Sequence, residues 1–285
     1  MSKPIRVVLA GINGRMGRLS CRIVAEDADF ELVGAIGRSG SAYIGKAAAE
    51  ISQCASLRVP VTDNLDEVLD KADVLLDFTV ADACLAHARK AIARGVRPVI
   101  GTSGLSELGV GELGELALAQ KIGALVVPNF SLGAVLMMEF ANQAGNFFEN
   151  VEIVEMHHTR KLDAPSGTAM HTVKKLAATG NRFNRQEVEE HEILTGARGA
   201  AAQNGVRVHS LRLPGLISHQ EVIFGGPGEL LTIRHDSFNT DCFVSGIRLA
   251  LNAVMNLSTL EVGLDKILRL NGQAISVPQP AKSGN

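Results

Sequence analysis

Cysteine is scarce and scattered: Cys21, Cys54, Cys84 and Cys242 stand far apart, and no two form a C-x-x-C pair. That spacing argues against a disulfide framework and a thiolate metal site, so no metal is expected and a reducing compartment is. No charge of either sign dominates. The 28 basic and 30 acidic side chains leave a formal net charge of -2 without a polybasic run, which gives neither nucleic acid nor an anionic membrane a footprint. No apolar run reaches the roughly 18 residues of a membrane span. The N-terminal MSKPIRVVLAG enters a strand-like run without the long apolar core of a signal peptide. No internal repeat is present, and the one low-complexity stretch is the polar tail SVPQPAKSGN, read as a frayed end. A soluble, cytoplasmic, globular protein with a small partner is expected.

What is present is enough apolar content, 46% of 285 residues, to fill one large core or two moderate ones. Ile5 to Ala10 is a short, nearly continuous apolar run followed by GINGRMGR and an amphipathic segment through Glu26. This reads as strand, glycine turn and helix. Apolar runs recur at Leu32 to Ile36, Val74 to Phe78, Val96 to Ile100 and Leu125 to Val127. Helical spacing fills Ala81 to Arg94 and Ser106 to Gln120 between them. The alternation predicts an α/β domain of Rossmann-like type, a doubly wound parallel sheet over residues 1–130.

After Pro128-Asn129-Phe130 the rhythm changes. Leu132 to Phe148 reads as one long helix, and Val151 to Met156, Val206 to Arg212, Glu221 to Phe224 and Leu230 to His235 read as strands. Strands that follow one another without helices predict a second, α+β domain over 131–240, with an antiparallel or mixed sheet. Ala178 to Gly205 is polar and glycine-punctuated, expected as a mobile excursion containing a short helix. From about Asp241 to Leu270 the chain is expected to be helical, with 241–285 completing the first domain.

The turn Gly11-Ile12-Asn13-Gly14-Arg15-Met16-Gly17 spaces its glycines three apart, against the G-x-G-x-x-G of the general dinucleotide fingerprint. It joins the first strand to the first helix, where free amides and the helix dipole hold a pyrophosphate; a plain structural connection is the other reading. At the end of the second strand, Gly37-Arg38 stands where NAD sites carry an acid for the ribose 2′-hydroxyl. A guanidinium pairs with a 2′-phosphate instead, so NADPH is favoured over NADH, unless Arg38 is only a solvated loop charge. Asp77-Phe78-Thr79 and Gly101-Thr102-Ser103-Gly104 end two further strands on the carboxyl edge, where ligands bind. Asp77 and Thr102 could equally cap the following helices.

The stretch VEMHHTRKLDAPSGTAM, Val154 to Met170, concentrates proton carriers. His157 and His158 close a strand, so their side chains point to opposite faces and cannot share a metal. Either imidazole, or Lys161 if its pKa is lowered, can give a proton to a reacting atom; three cations together favour a dianion. Asp163 or Ser166 is a candidate helix cap, Pro165 suits the first turn, and Gly167 and Thr168 offer amides to an anion. Each histidine alone could be a surface or hydrogen-bonded structural residue.

The pattern E-x-H-H-x-x-K-x-D-A-P-S-G-T-A at Glu155 to Ala169, with GRMGR at Gly14, DFT at Asp77, GTSG at Gly101 and NFSLG at Asn129, resembles the bacterial 4-hydroxy-tetrahydrodipicolinate reductase family, from about residue 5 to residue 270. The resemblance implies reduction of the cyclic imine product of dihydrodipicolinate synthase with NADPH or NADH, in the diaminopimelate route to lysine. It implies a ring dicarboxylate as substrate and a homotetramer built through the second domain's sheet. It makes His157 the acid-base residue, Lys161 the proton donor, and His158, Gly167 and Thr168 substrate contacts. It places the cofactor on Gly11, Ile12, Asn13, Gly14, Arg15, Met16, Arg38, Thr79, Val127 and Pro128, with the nicotinamide near Gly101, Thr102, Ser103, Asn129 and Phe130. Hydride transfer between the two domains is expected to need their closure. The chain departs from the family's pattern at Gly37, where an acid is common; at Ser218-His219-Gln220, where Gly-Glu-His is frequent; and at Thr240, where an arginine is common. An amino-acid or semialdehyde dehydrogenase, and a nucleotide sensor without turnover, are the alternatives this architecture permits. A sensor has no use for the proton donors.

Overall fold

The computed structural model describes residues 3–185, 188–189 and 191–268. The chain begins with β1 (Ile5–Ala10), α1 (Arg15–Glu26), β2 (Phe30–Ile36), α2 (Ala48–Ser52), β3 (Val61–Thr62), β4 (Val74–Asp77), α3 (Ala81–Ala93), β5 (Arg97–Ile100), α4 (Glu107–Gln120) and β6 (Ala124–Val126). It continues through α5 (Leu132–Ala144), β7 (Asn150–His157), α6 (Gly167–Ala177), β8 (Ala200–Ala201), β9 (Arg207–Arg212), β10 (Ser218–Gly226) and β11 (Glu229–Ser237). It closes with α7 (Val244–Val254), β12 (Leu260–Val262) and α8 (Leu264–Leu268). Two units result: one takes the chain up to Phe130 and again from Phe243, the other is Ser131–Cys242.

The first unit holds a parallel sheet in the order β12-β6-β5-β4-β1-β2-β3. The strands carry continuous apolar runs because both faces are covered: Val7 to Ala10 and Val74 to Leu76 are fully buried. Burying each such Leu, Ile or Val stabilises the unit by about 2 kcal/mol. Strand order reverses between β1 and β4, so the carboxyl ends of these two strands frame the crevice that doubly wound sheets use for ligands.

The second unit holds a five-stranded sheet in the order β11-β10-β7-β9-β8. It is mixed, since β7 pairs antiparallel with β10 and parallel with β9. Along β7, Val151, Ile153, Glu155 and His157 are buried while Glu152, Val154 and Met156 are half-buried. On the buried face Gln220 donates to Thr172 of α6.

Several expectations need correction. The helix from Leu132 stops at Ala144 rather than Phe148. Asn146 Nδ2 takes the Asn142 and Gln143 carbonyls, and Asn181 Nδ2 takes that of Gly145, which ends the ladder. Between Ala178 and Gly205 the described residues form no α-helix; they form the short strand β8 and a 3-10 turn at Gln203–Gly205. That segment is tied down by buried Phe183 and by Asn184, whose side chain bonds both backbone groups of Val151 and the Gly205 carbonyl. The expected helical stretch from Asp241 contains β12, which extends the first sheet beside β6. Three residues are too short to show a strand period, and β3 escaped notice for the same reason. Among the described residues no helix is long and apolar enough to cross a membrane.

Candidate functional site

Period two along β7 sets Glu155 and His157 side by side on the buried face. His157 Nδ1 lies 2.5 Å from Glu155 Oε2. Arg212, brought opposite His157 by the parallel β7–β9 register, grips both oxygens of Glu155 at 2.7 and 3.0 Å and donates to the Asp163 carbonyl at 2.8 Å. Burial alone would push the Glu155 carboxyl up; hydrogen bonds from Arg212, Ser210 and His157 outweigh it and hold the group below its ordinary range. Glu155 is therefore an ionised acceptor, and Nδ1 of His157 carries the proton. Burial lowers the pKa of His157, and the positive charges of Lys161 and Arg212 add to this; Glu155 opposes it without reversing it. His157 is a neutral imidazole at neutral pH. Its Nε2 lies 3.1 Å from Ser218 Oγ.

A turn closed by Lys161 N donating to the His158 carbonyl at 3.1 Å brings Lys161 back beside the strand end. Its Nζ meets both Asp163 oxygens, at 2.8 and 2.9 Å, and the ammonium lowers the Asp163 pKa. Ser166 caps α6 by accepting from Ala169 N, while its own N donates to Glu155 Oε1. The helix start at Gly167 and Thr168 is thus pinned to the carboxylate that orients His157. No acidic side chain occupies its first turn, leaving the positive end of the dipole for an anion. A Cβ at Gly167 would meet nothing within 4 Å.

Ser166, not Asp163, is the cap, and Pro165 lies before the helix rather than in its first turn. The cluster is also not three free cations, because His157 is neutral and Lys161 is paired with Asp163. His158 follows the last residue of β7, and its buried Nδ1 has no hydrogen-bond partner among the described residues.

In the first unit the glycine turn is built by close approach. Gly11 has φ +85°, and a Cβ there would lie 2.9 Å from the Phe78 carbonyl oxygen; one at Gly17 would lie 2.2 Å from that of Gly11. Ile12 is buried, Asn13 accepts from Arg18 at 2.8 Å, and Gly14 is the cap residue of α1, with no side-chain cap bond. Arg15 and Met16 open the helix, whose first turn holds no acid. The Gly11, Ile12 and Gly14 amides donate to the Ile36 and Gly11 carbonyls, so it is the helix start at Arg15 and Met16 that fits a pyrophosphate. Arg38 is exposed, and its N donates to the Tyr43 hydroxyl. A Cβ at Gly37 would sit 2.5 Å from Tyr43 Cε2, so the tyrosine ring fills the place an acid would need.

Neither Asp77 nor Thr102 caps a helix: Val80 precedes α3, and Ser106 caps α4. Asp77 is buried and accepts from Thr79, whose carbonyl accepts from Thr102. Phe78 packs against Phe130 with the rings tilted by 56° and their centroids 5.5 Å apart, and a Cβ at Gly101 would strike both rings. Val127 N donates to the Ile100 carbonyl. Ser103 and Pro128 are exposed and Asn129 is half-buried, and they follow the carboxyl ends of the paired parallel strands β5 and β6. Two groupings result: the proton cluster in the second unit and the strand edge in the first.

Glu155 stood in the motif without a role, yet an acid two residues before a histidine on one strand was the available signal. Ser218 stood only as part of a departure from the family's pattern, and Arg212 and Tyr43 gave no signal. Among the described residues no group of three or more His, Cys, Asp and Glu side chains could hold a metal ion.

Two family models match, described as dihydrodipicolinate reductase, N-terminus, over residues 5–130, and dihydrodipicolinate reductase, C-terminus, over residues 133–268. A 4-hydroxy-tetrahydrodipicolinate reductase of Synechococcus elongatus is 48% identical over 274 residues, 94% of this chain and 100% of that protein. One from Bacillus licheniformis is 47% identical over 265 residues, 93% of this chain and 98% of its own length. The solved structure of dipicolinate-bound dihydrodipicolinate reductase from Paenisporosarcina sp. TG-14 superposes with a TM-score of 0.85 at 41% identity, covering 93% of this chain and 100% of that one. An amine dehydrogenase from Mycobacterium smegmatis, 15% identical with a TM-score of 0.62 over 90% of this chain and 93% of its own, shares the fold alone.

Proposed function

Because this chain belongs to the dihydrodipicolinate reductase family over both of its units, it is a nicotinamide-dependent 4-hydroxy-tetrahydrodipicolinate reductase of the diaminopimelate route to lysine, and we propose the following division of labour among its residues. When bound, the nicotinamide cofactor supplies a hydride to the ring. The glycine turn Gly11 to Met16 holds its pyrophosphate, and Thr79, Gly101, Thr102, Ser103 and Val127 to Phe130 hold its nicotinamide end. NADPH is preferred, because Tyr43 keeps the place beside Gly37 closed to an acid and Arg38 is exposed to meet a 2′-phosphate.

The second unit holds the ring dicarboxylate. Its carboxylates fit the Gly167 and Thr168 amides at the α6 start, Lys161 and His158, whose buried Nδ1 is without a partner among the described residues. Once water has left the ring and hydride has arrived, the ring anion needs a proton. Lys161 supplies it. His157, neutral and held by Glu155, is the acid-base group that takes up and passes on protons through Nε2. Two proton carriers of different charge, set apart by burial and by pairing, suit an acid and a base in one reaction. The observation that carries this reading is the Glu155–His157 contact pinned by Arg212 and joined through Ser166 to the α6 start.

The outer face of the second sheet, with Val154, Met156, His209, Leu211 and Ile223, is the surface through which we place the homotetramer. A cavity of about 640 Å³ there is lined by Glu152, Arg198 and His209; it lies opposite the buried face of His157 and belongs to subunit contact rather than to the chemistry. Four free cysteines suit a cytoplasmic setting.

The test is His157→Ala and Lys161→Ala assayed with freshly made synthase product. Each is expected to lower kcat by roughly 100-fold or more with NADPH affinity nearly unchanged. Full turnover in both variants would remove the assignment.

A further inference from the structure

Asp77, at the carboxyl end of β4, is a fully buried carboxyl group that no step above uses. A buried group of this kind persists only where its oxygens are satisfied. Oδ1 accepts from Thr79 N at 2.8 Å and from the Thr79 hydroxyl at 2.6 Å. Oδ2 faces Nδ1 of His87, on α3, at 2.8 Å. The Thr79 hydroxyl proton is therefore committed to Asp77, and what Thr79 Oγ keeps to offer a ligand is lone pairs.

The surroundings fix this arrangement. The Thr79 carbonyl accepts from Thr102 Oγ1 at 3.2 Å. Phe78, just before it, is confined by Gly11 on its backbone side and by Gly101 on its ring side, where an added Cβ would lie 2.9 and 2.1 Å away. Residues that the sequence assigned separately to the cofactor thus converge on one two-residue segment. His87 completes the network and stands outside every assignment.

We propose that His87 is a positioning residue for the nicotinamide half of the cofactor: by holding Oδ2 of Asp77 it keeps Oδ1 on both Thr79 donors, so that Thr79 Oγ presents an acceptor to a carboxamide N–H. The proposal rests on the cofactor assignment above. Without the imidazole, Asp77 is free to turn, the Thr79 hydroxyl becomes free to donate, and the match to an N–H ligand is lost. The adenosine half, held at the glycine turn and near Arg38, has no part in this network.

The experiment measures binding, not turnover. Wild type, His87→Ala and His87→Asn are titrated calorimetrically with NADPH and NADH, then with 2′-phospho-ADP-ribose and ADP-ribose, which lack the nicotinamide. His87→Ala is expected to weaken the full cofactor by up to about 10-fold, the upper end of the worth of one neutral hydrogen bond, and to leave the truncated nucleotide unchanged. His87→Asn, whose side-chain amide can sit where Nδ1 does, is expected to recover most of the loss. Equal weakening of full and truncated ligands, no weakening of either, or an Asn variant as poor as Ala would overturn the proposal. Wild type that binds none of the four would instead remove the cofactor assignment itself.

Discussion

Ser218 Oγ lies 3.1 Å from Nε2 of His157, directly opposite it in the antiparallel β7–β10 pair. The imidazole is held at both nitrogens, by Glu155 on one side and Ser218 on the other. The two holds are unequal. Glu155 makes a charge-assisted bond worth about 1.5–3 kcal/mol, Ser218 a neutral one worth about 0.5–1.5 kcal/mol. Ser218→Ala is accordingly expected to lower kcat less than about 10-fold. Glu155→Gln, which also loosens Arg212 and Ser166, should cost more. Steady-state kcat of both variants, with 15N NMR of the His157 ring to follow its tautomer, checks the order; a larger loss for Ser218→Ala would reverse it.

Arg212 carries the next prediction. It is the cation that lets Glu155 be ionised at zero exposure. Removing one partner of a buried pair leaves an uncompensated charge, at a cost of about 3–5 kcal/mol. Arg212→Leu should therefore destabilise the protein by about 3 kcal/mol in urea unfolding. Arg212→Leu combined with Glu155→Leu should recover part of that. If the double variant is worse than the single one, the loss is packing and not charge.

Sequence alone located this site better than it explained it. Glu155, His157, Lys161 and Ser166 lie within a dozen positions, so local pattern showed the cluster. Arg212 and Ser218 reach it from 57 and 61 residues away, through strand register that no local pattern encodes. In the first unit the alternation of apolar runs and helical spacing was enough for the parallel sheet, since strands buried on both faces are legible as continuous runs. What failed there was short: β3 and β12 have two and three residues. Tyr43 came to lie beside Gly37 through a loop closure with no periodic signal.

Acid sensitivity follows from burial. Desolvation lowers the pKa of both His157 and His235 from the ordinary 6.5. A base with a lowered folded pKa takes up protons more readily when unfolded, so stability is whole above pH 6.5 and is lost as pH falls below it. Depressed carboxylates, Glu155 among them, extend the loss below 4.5. Melting temperature should decline from pH 6.5 to about 5, before the carboxylates titrate. His157→Gln should flatten part of that decline, and scans of both proteins across the interval decide it: equal slopes would mean that His157 is not held neutral by the fold.

Cofactor preference can be probed at the Tyr43–Gly37 contact. A Cβ at position 37 would lie 2.5 Å from Tyr43 Cε2 and 3.0 Å from Ile44 and Val61, so Gly37→Asp alone must displace the ring whose hydroxyl also accepts from Arg38 N. That variant should lose stability without improving NADH affinity. Gly37→Asp with Tyr43→Ser opens the space, lets the carboxylate reach a ribose 2′-hydroxyl, and sets a negative charge against a 2′-phosphate. The ratio of kcat/KM for NADH to that for NADPH should then rise by at least about 10-fold, because a charge-assisted hydrogen bond forms with one cofactor and a like-charge repulsion arises with the other. An unchanged ratio in the folded double variant would show that the 2′ position is read elsewhere, and Arg38 would lose its assignment with it.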